Sequence, residues 1–236
     1  AVFICCFVCI ALLDDCCDER MNYTVIEVDF IHVYRNEQAN LYIITISRKI
    51  SYMIQKLCRA VLFSWLGWKE EVDQPRPPKC IICVAPHTSN YDFLIGKAYY
   101  TAIGLTSNFL MKKEWFVGPL GYIFKKMGGI PVERSKHTSM TDQLAEVARK
   151  SANFSLAVTP EGTRSKVTQW KRGFYYIALK ANIPILLYAI DYPTKRIVCK
   201  RTIHPSGDIE ADMRSIMEYY KDFNGKYPEK FAIEQL

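Results

Sequence analysis

The feature that most constrains this chain is residues 80–93, CIICVAPHTSNYDF. An apolar run of strand composition ends at Pro86, and the next six residues place a histidine at 87 and a carboxylate at 92. A strand that stops there delivers His87 to the rim of a sheet. Asn90 is placed to cap the following helix, and Asp92, in its first turn, points its carboxylate back at the imidazole. A neutral imidazole held this way takes a proton from a hydroxyl, so the pair reads as a base and its orienter. The plain alternative is a His and an Asp that happen to share a turn, and the residues downstream bear on the choice.

Downstream the pattern alternates in the manner of an α/β domain. Residues 92–104 read as helix, 107–111 as strand, 114–127 as a helical region broken near Gly118 and Pro119, and 129–133 as strand. Helix 139–153 follows, then strand 154–158, helix 173–181, strands 183–192 and 196–204, and a closing helix over 208–223. The expected fold is a single α/β domain with a mostly parallel central sheet flanked by helices, preceded by an N-terminal amphipathic helix. Its expected segments are an extension (1–46), the amphipathic helix (47–68), a linker (69–79, with Pro75, Pro77 and Pro78) and the catalytic domain (80–236).

At 236 residues with 50% apolar side chains the chain can fill one sizeable core, which excludes disorder of the whole. Its net charge of +7 is unevenly spread. Residues 1–46 hold two basic and seven acidic side chains, leaving 29 basic against 17 acidic in the remainder, a net +12. Such a field favours phosphates, whether on lipid, nucleic acid or a small substrate. Nucleic acid is excluded by the absence of any helix-turn-helix, zinc or RNA-recognition signature, the cations being dispersed at strand ends and on one helix. Of nine cysteines five crowd the first 17 residues, and no disulfide framework is visible. The C-x-x-C at 80–83 lies inside an Ile/Val run with no second ligand pair, so it reads as buried strand rather than zinc.

The opening AVFICCFVCIALL is thirteen apolar residues followed by DDCCDER, too short to span a bilayer and without the basic flank of a signal peptide. Residues 1–46 are expected to be a poorly packed extension foreign to the basic body. From 47 to 68 the character changes. Ile50, Ile54, Leu57, Val61 and Trp68 recur at helical spacing, with Arg48, Lys49, Gln55, Lys56 and Arg59 opposite and Tyr52 and Phe63 at the margin. Two readings stay open: a helix lying in an anionic membrane interface, with Trp65 and Trp68 at its end, or a helix packed on the domain's own core.

Three further clusters follow strands. Lys112 and Lys113 come after the strand ending at Met111, Arg134 after GGIPVE, and Glu161, Gly162, Thr163 and Arg164 after the strand ending at Val158. Each ends in a cation: Arg suits bidentate phosphate contacts, Lys a point charge, and Gly162 close backbone approach.

H-x-x-x-x-D at 87–92, then KKEWFVGPLGYIFKKMGGIPVERS, then PEGTRS, then IPILLYAIDY, resembles in order and spacing the glycerolipid acyltransferase family that includes 1-acylglycerol-3-phosphate acyltransferases. The resemblance covers about residues 47–192. It implies transfer of a fatty acyl group from acyl-CoA or acyl carrier protein to the hydroxyl of a lysophospholipid, foremost 1-acylglycerol-3-phosphate, giving phosphatidate. It implies no metal and no bound cofactor, and a peripheral or monotopic enzyme on the cytoplasmic face of an anionic membrane. Matched by position, His87 is the general base and Asp92 its orienter. Lys112 and Arg134 match phosphate contacts, and Glu161, Gly162, Thr163 and Arg164 match the acceptor-binding block. The chain departs from the family's pattern at Trp115, at Thr159 and in a Pro119-to-Arg134 interval one residue short.

A thioester is already activated, so the chemistry needs a base for the acceptor hydroxyl and donors for the oxyanion, not a covalent intermediate. There is no Gly-x-Ser-x-Gly elbow. Backbone amides near Thr88 or at the start of the following helix are the expected oxyanion donors. The competing readings are the same chemistry on another acceptor, such as an ornithine or other amino-acid lipid, and a non-catalytic lipid-binding module on the same fold.

Overall fold

The computed structural model describes residues 37–132 and 140–233. The expectations above for residues 1–36, the five N-terminal cysteines among them, and for Arg134 lie outside the described residues. Among the described residues, seven strands form one sheet: β1 (Lys69–Val72), β2 (Lys79–Val84), β3 (Asn108–Lys112), β4 (Gly129–Val132), β5 (Phe154–Val158), β6 (Ile185–Asp191) and β7 (Arg196–Ile203). Their order is β1-β7-β6-β2-β5-β3-β4. The five strands from β6 to β4 are all parallel. β7 is antiparallel to β6, because the turn that joins Asp191 to Arg196 is too short for a crossover, and β1 follows β7 in parallel.

The helices are α1 (Glu37–Arg59), α2 (Asn90–Ala102), α3 (Gly118–Lys126), α4 (Met140–Lys150), α5 (Gly173–Ala181) and α6 (Ile209–Tyr220). They cover both faces of the sheet. On one face Ile81, Cys83 and Ala85 meet Leu144 and Ala148 of α4, Phe174, Tyr175 and Ala178 of α5, and Met213, Ile216 and Tyr220 of α6. On the other, Cys80 and Ile82 meet Ile95, Tyr99 and Tyr100 of α2, together with Leu62 and Trp68. A strand buried on both faces has no polar side to show, which is why β2 reads as an unbroken apolar run. Cys80 and Cys83, three apart, point to opposite faces, so they cannot share a metal ion. Burial pushes both thiols up, and it pushes the Cys199 thiol up to about 12.

Two boundaries differ from the sequence reading. The stretch taken as linker contains β1, whose Lys69–Val72 pair with Arg196–Cys199 and extend the sheet beyond β7. The N-terminal helix begins at Glu37 rather than near 47, and after Arg59 it continues as a π-helical segment over Ala60–Trp65, where the Leu66 amide reaches Val61 O at 2.9 Å.

The burial of this helix also differs. Its packed stripe is Ile54, Cys58 and Leu62, which lie against Ala102, Phe63 and the α2 side of the core, while Gln55, assigned to the polar face, donates to Ala102 O. Leu57, on the apolar face whose burial partner was left open, is 47% exposed, in company with Tyr52, Met53 and Trp65. The helix is apolar on more than one side, and the wider turn of the π segment rotates the residues after it out of the α-helical register; a single stripe of 3.6-residue period misses both. Among the described residues no helix is long and apolar enough to cross a membrane.

Candidate active site

β2 and β5 are neighbours, but the chain leaving β2 enters α2 on one face of the sheet, and the chain leaving β5 enters α5 on the other. The crevice between their carboxyl ends is the switch point at which open α/β sheets bind ligands. His87 follows β2 through a cis Ala85–Pro86 bond, and the Glu161 loop follows β5.

His87 Nδ1 lies 3.1 Å from Asp92 Oδ2. The same oxygen accepts the Thr88 amide at 2.9 Å and the Ser89 amide at 2.8 Å. Three groups thus converge on one carboxylate oxygen, and two of them are unambiguous donors. The carboxylate accepts, so His87 carries its proton on Nδ1 and presents Nε2 as a base. The helix cap is Ser89, not Asn90: Ser89 Oγ accepts the Tyr91 amide at 3.1 Å, and Asp92 at N3 returns the bond to the Ser89 amide. One carboxylate therefore starts α2 and holds the histidine. Asp92 is 3% exposed and the His87 side chain 17%, so the base is reachable and its orienter is not. With Thr88 and Ser89 amides committed to Asp92, they are not the oxyanion donors expected from the sequence.

Glu161 is turned inward. It is buried, and its Oε1 accepts the His87 amide at 2.7 Å, while Oε2 is buried without a protein partner. Burial, with the nearby Asp92 charge adding, pushes its carboxyl up to about 7 against the pull of the backbone amides. Gly162, at φ +65°, turns the chain after it, and a Cβ there would meet Lys171 Cγ at 3.1 Å. Thr163 is half-buried and accepts the Ser165 amide. Arg164 is exposed and donates to Asn90 Oδ1, drawing the loop after β5 onto the start of α2. Lys112, exposed, ends β3, the next strand along the same edge.

The family model for acyltransferases matches residues 69–191, more than half of the chain. The chain belongs to the acyltransferase family. Its 83-residue match to a 1-acyl-sn-glycerol-3-phosphate acyltransferase of Cocos nucifera is 36% identical and covers 33% of this chain and 27% of that protein, so it spans little more than a quarter of the relative's length. The crystal structure of the 1-acyl-sn-glycerophosphate (LPA) acyltransferase PlsC from Thermotoga maritima superposes with a TM-score of 0.50 at 19% identity, over 75% of this chain and 84% of that one. At that identity the likeness is one of fold: a mostly parallel sheet with helices on both faces.

Two parts of this candidate site were not foreseen. Tyr192, the last residue of the IPILLYAIDY block, donates its hydroxyl to Asp92 Oδ1 at 2.6 Å. The segment after α6 straps the loop that carries His87: the Tyr227 amide donates to Thr88 Oγ1 at 3.1 Å, the Tyr192 amide to Asn224 O at 3.0 Å, and Lys226 sits over the Tyr91 ring. No spacing rule signals contacts made across 100 and 139 positions. A tyrosine closing an apolar strand was the only available hint.

Proposed function

We propose that this acyltransferase moves a fatty acyl group from a thioester, acyl-CoA or acyl carrier protein, to the hydroxyl of a lysophospholipid, with 1-acylglycerol-3-phosphate the preferred acceptor and phosphatidate the product. The observation that carries this reading is the His87–Asp92 pair at the switch point, its base exposed and its carboxylate held by backbone amides. His87 Nε2 removes the acceptor proton as the oxygen attacks the thioester carbonyl. Asp92 stabilises the imidazolium that forms, and collapse of the tetrahedral oxyanion breaks the C–S bond and releases a thiolate, which takes the proton back from His87. The chain's own side chains supply every proton movement in this sequence.

The preference for a phosphate monoester rests on charge. Lys112 and Arg164 stand after adjacent strands at the edge that holds His87, and Arg134 follows the next strand in sequence. Cations gathered near one another repel, and a dianionic headgroup beside the reacting hydroxyl relieves that repulsion. Membrane docking is supported by α1 and the π segment after it, where Tyr52, Met53, Leu57 and Trp65 are exposed beside Arg48, Lys49, Lys56 and Arg59; this composition suits the interface of an anionic, cytoplasm-facing leaflet. In a non-catalytic lipid-binding role Asp92 would still start α2, but the reachable, oriented imidazole of His87 would be without a use.

The test is acylation by purified protein of lysophosphatidate, lysophosphatidylcholine and lyso-ornithine lipid, each with acyl-CoA and with acyl-loaded carrier protein. Lysophosphatidate is expected to give the highest kcat/KM. A better zwitterionic or ornithine acceptor overturns the acceptor assignment, and no turnover on any lysolipid overturns acyl transfer to lysolipids.

A further inference from the structure

Asp92 Oδ2 is crowded: the His87 imidazole and the amides of Thr88 and Ser89 all converge on it. Donors on one oxygen hold that oxygen in place but leave the carboxylate plane able to turn about it, and a bond to the other oxygen fixes the plane as well. Among the described residues, one side chain ties Oδ1. Tyr192 donates its hydroxyl to Asp92 Oδ1 at 2.6 Å, from a strand end 100 residues away.

We propose that Tyr192 is a positioning residue of the acyl-transfer site, pinning Asp92 so that its carboxylate keeps its plane and its alignment with the His87 imidazole. The assignment rests on the acyltransferase reading above and adds a third member to the pair. Tyr192 lies just past residue 191, where the family match ends.

Tyr192 is itself held on two further sides, as a part that fixes another must be. Its amide donates to Asn224 O at 3.0 Å, and the neighbouring Asp191 accepts the Asn224 amide at 3.0 Å, so strand end and C-terminal segment are tied reciprocally. The edge of its ring meets Trp68, with centroids 5.3 Å apart and planes at 84°. Trp68 lies just past the N-terminal helical segment and its amide donates to Leu62 O at 3.1 Å, so the chain of contacts runs from that segment through Trp68 and Tyr192 to Asp92 and His87. Burial and the adjacent carboxylate push the phenol well above its ordinary range, which keeps the hydroxyl a donor at any working pH.

Tyr192→Phe removes the hydroxyl and keeps the ring against Trp68. It is expected to lower kcat by roughly tenfold or more, through loss of alignment, with KM for donor and acceptor within about twofold and Tm within about 2 °C of wild type. In an Asp92→Asn background the same change is expected to cost nothing further, since the group it aligns is gone. The second readout needs no turnover: the Nδ1 proton resonance of His87, identified by its absence in His87→Ala, is expected to move or to be lost to exchange in Tyr192→Phe. Wild-type kcat in folded Tyr192→Phe, or an equal loss in the Asp92→Asn background, overturns the proposal. If wild-type protein acylates no lysolipid, the acyl-transfer reading fails on its own, and an unmoved Nδ1 resonance then overturns the role of Tyr192 separately.

Discussion

The backbone amide of His87 and the carboxylate of Glu161 are joined by a 2.7 Å hydrogen bond across 74 residues, so the loop after β5 sets the height at which the histidine leaves β2. Glu161 matches the family's acceptor-binding block, yet here it is buried beneath the histidine rather than open to a headgroup.

That position makes Glu161 a source of pH-dependent stability. Its carboxyl rises from 4.5 to about 7 on folding, chiefly by burial, so between those values the folded protein binds more protons than the unfolded one. Stability therefore falls as pH rises from about 4.5 to about 7 and levels off above, by roughly 3 kcal/mol from this group. Glu161→Gln keeps an acceptor for the His87 amide and removes the titration. Denaturant melts across this range are expected to show a shallower decline for the variant; parallel curves for the two proteins contradict the assignment.

Asp92→Asn bears on stability as well as catalysis. The carboxylate accepts from the Thr88 and Ser89 amides and the Tyr192 hydroxyl, faces His87, and sits 3% exposed. An amide offers one acceptor oxygen and turns an N–H toward donors, so the helix start is weakened and a buried donor goes unpaired. We expect a loss of about 2–3 kcal/mol in urea unfolding alongside a fall of roughly 10² or more in turnover. Unchanged stability would show that the donors find other partners.

Gly225 marks where the C-terminal strap crosses the catalytic loop. A Cβ there would stand 2.6 Å from Thr88 Oγ1, 2.9 Å from Thr88 Cγ2 and 3.2 Å from Pro86 Cβ, so the Thr88 side chain, which accepts the Tyr227 amide, would have to shift. Gly225→Ala is expected to cost about 1–3 kcal/mol and to slow turnover by roughly tenfold or more by displacing the loop that carries His87. Full activity with wild-type melting contradicts the strap's role.

The two apolar sides of α1 and its π segment separate by mutation. Leu62→Ala, at 1% exposure, is expected to cost about 2–5 kcal/mol of folding stability. Replacing Met53, Leu57 and Trp65 together by Ser, all three exposed, is expected to leave Tm nearly unchanged and to weaken binding to anionic vesicles by roughly tenfold or more, as sedimentation would show. Equal vesicle binding by the triple variant assigns the anchor elsewhere.

Much of this was legible in the sequence because the signals are local. The apolar runs of β2, β5 and β6 announce strands buried on both faces, and His87 and Asp92 meet because five residues separate them across one helix start. The choice of Asn90 over Ser89 as cap was a one-residue error that only the hydrogen bonds resolve. β1 escaped notice because KEEV, on the sheet edge, has no apolar period, and its partner lies 127 positions on, at Lys69 with Arg196. Tyr192, the inward turn of Glu161 and the strap over Thr88 are all long-range, made by the topology that brings β6, β2 and β5 side by side. Local pattern carries no information about that adjacency.

The most direct test of the acyl-transfer account is the rate at which labelled acyl-CoA or acyl carrier protein converts lysophosphatidate to phosphatidate with wild-type protein and with His87→Ala, both checked for folding. The wild type is expected to form phosphatidate and the variant to lose about 10² to 10⁴ in kcat with little change in Tm, as befits a general base at a strand end. Wild-type turnover by a folded His87→Ala protein would contradict the account at its centre.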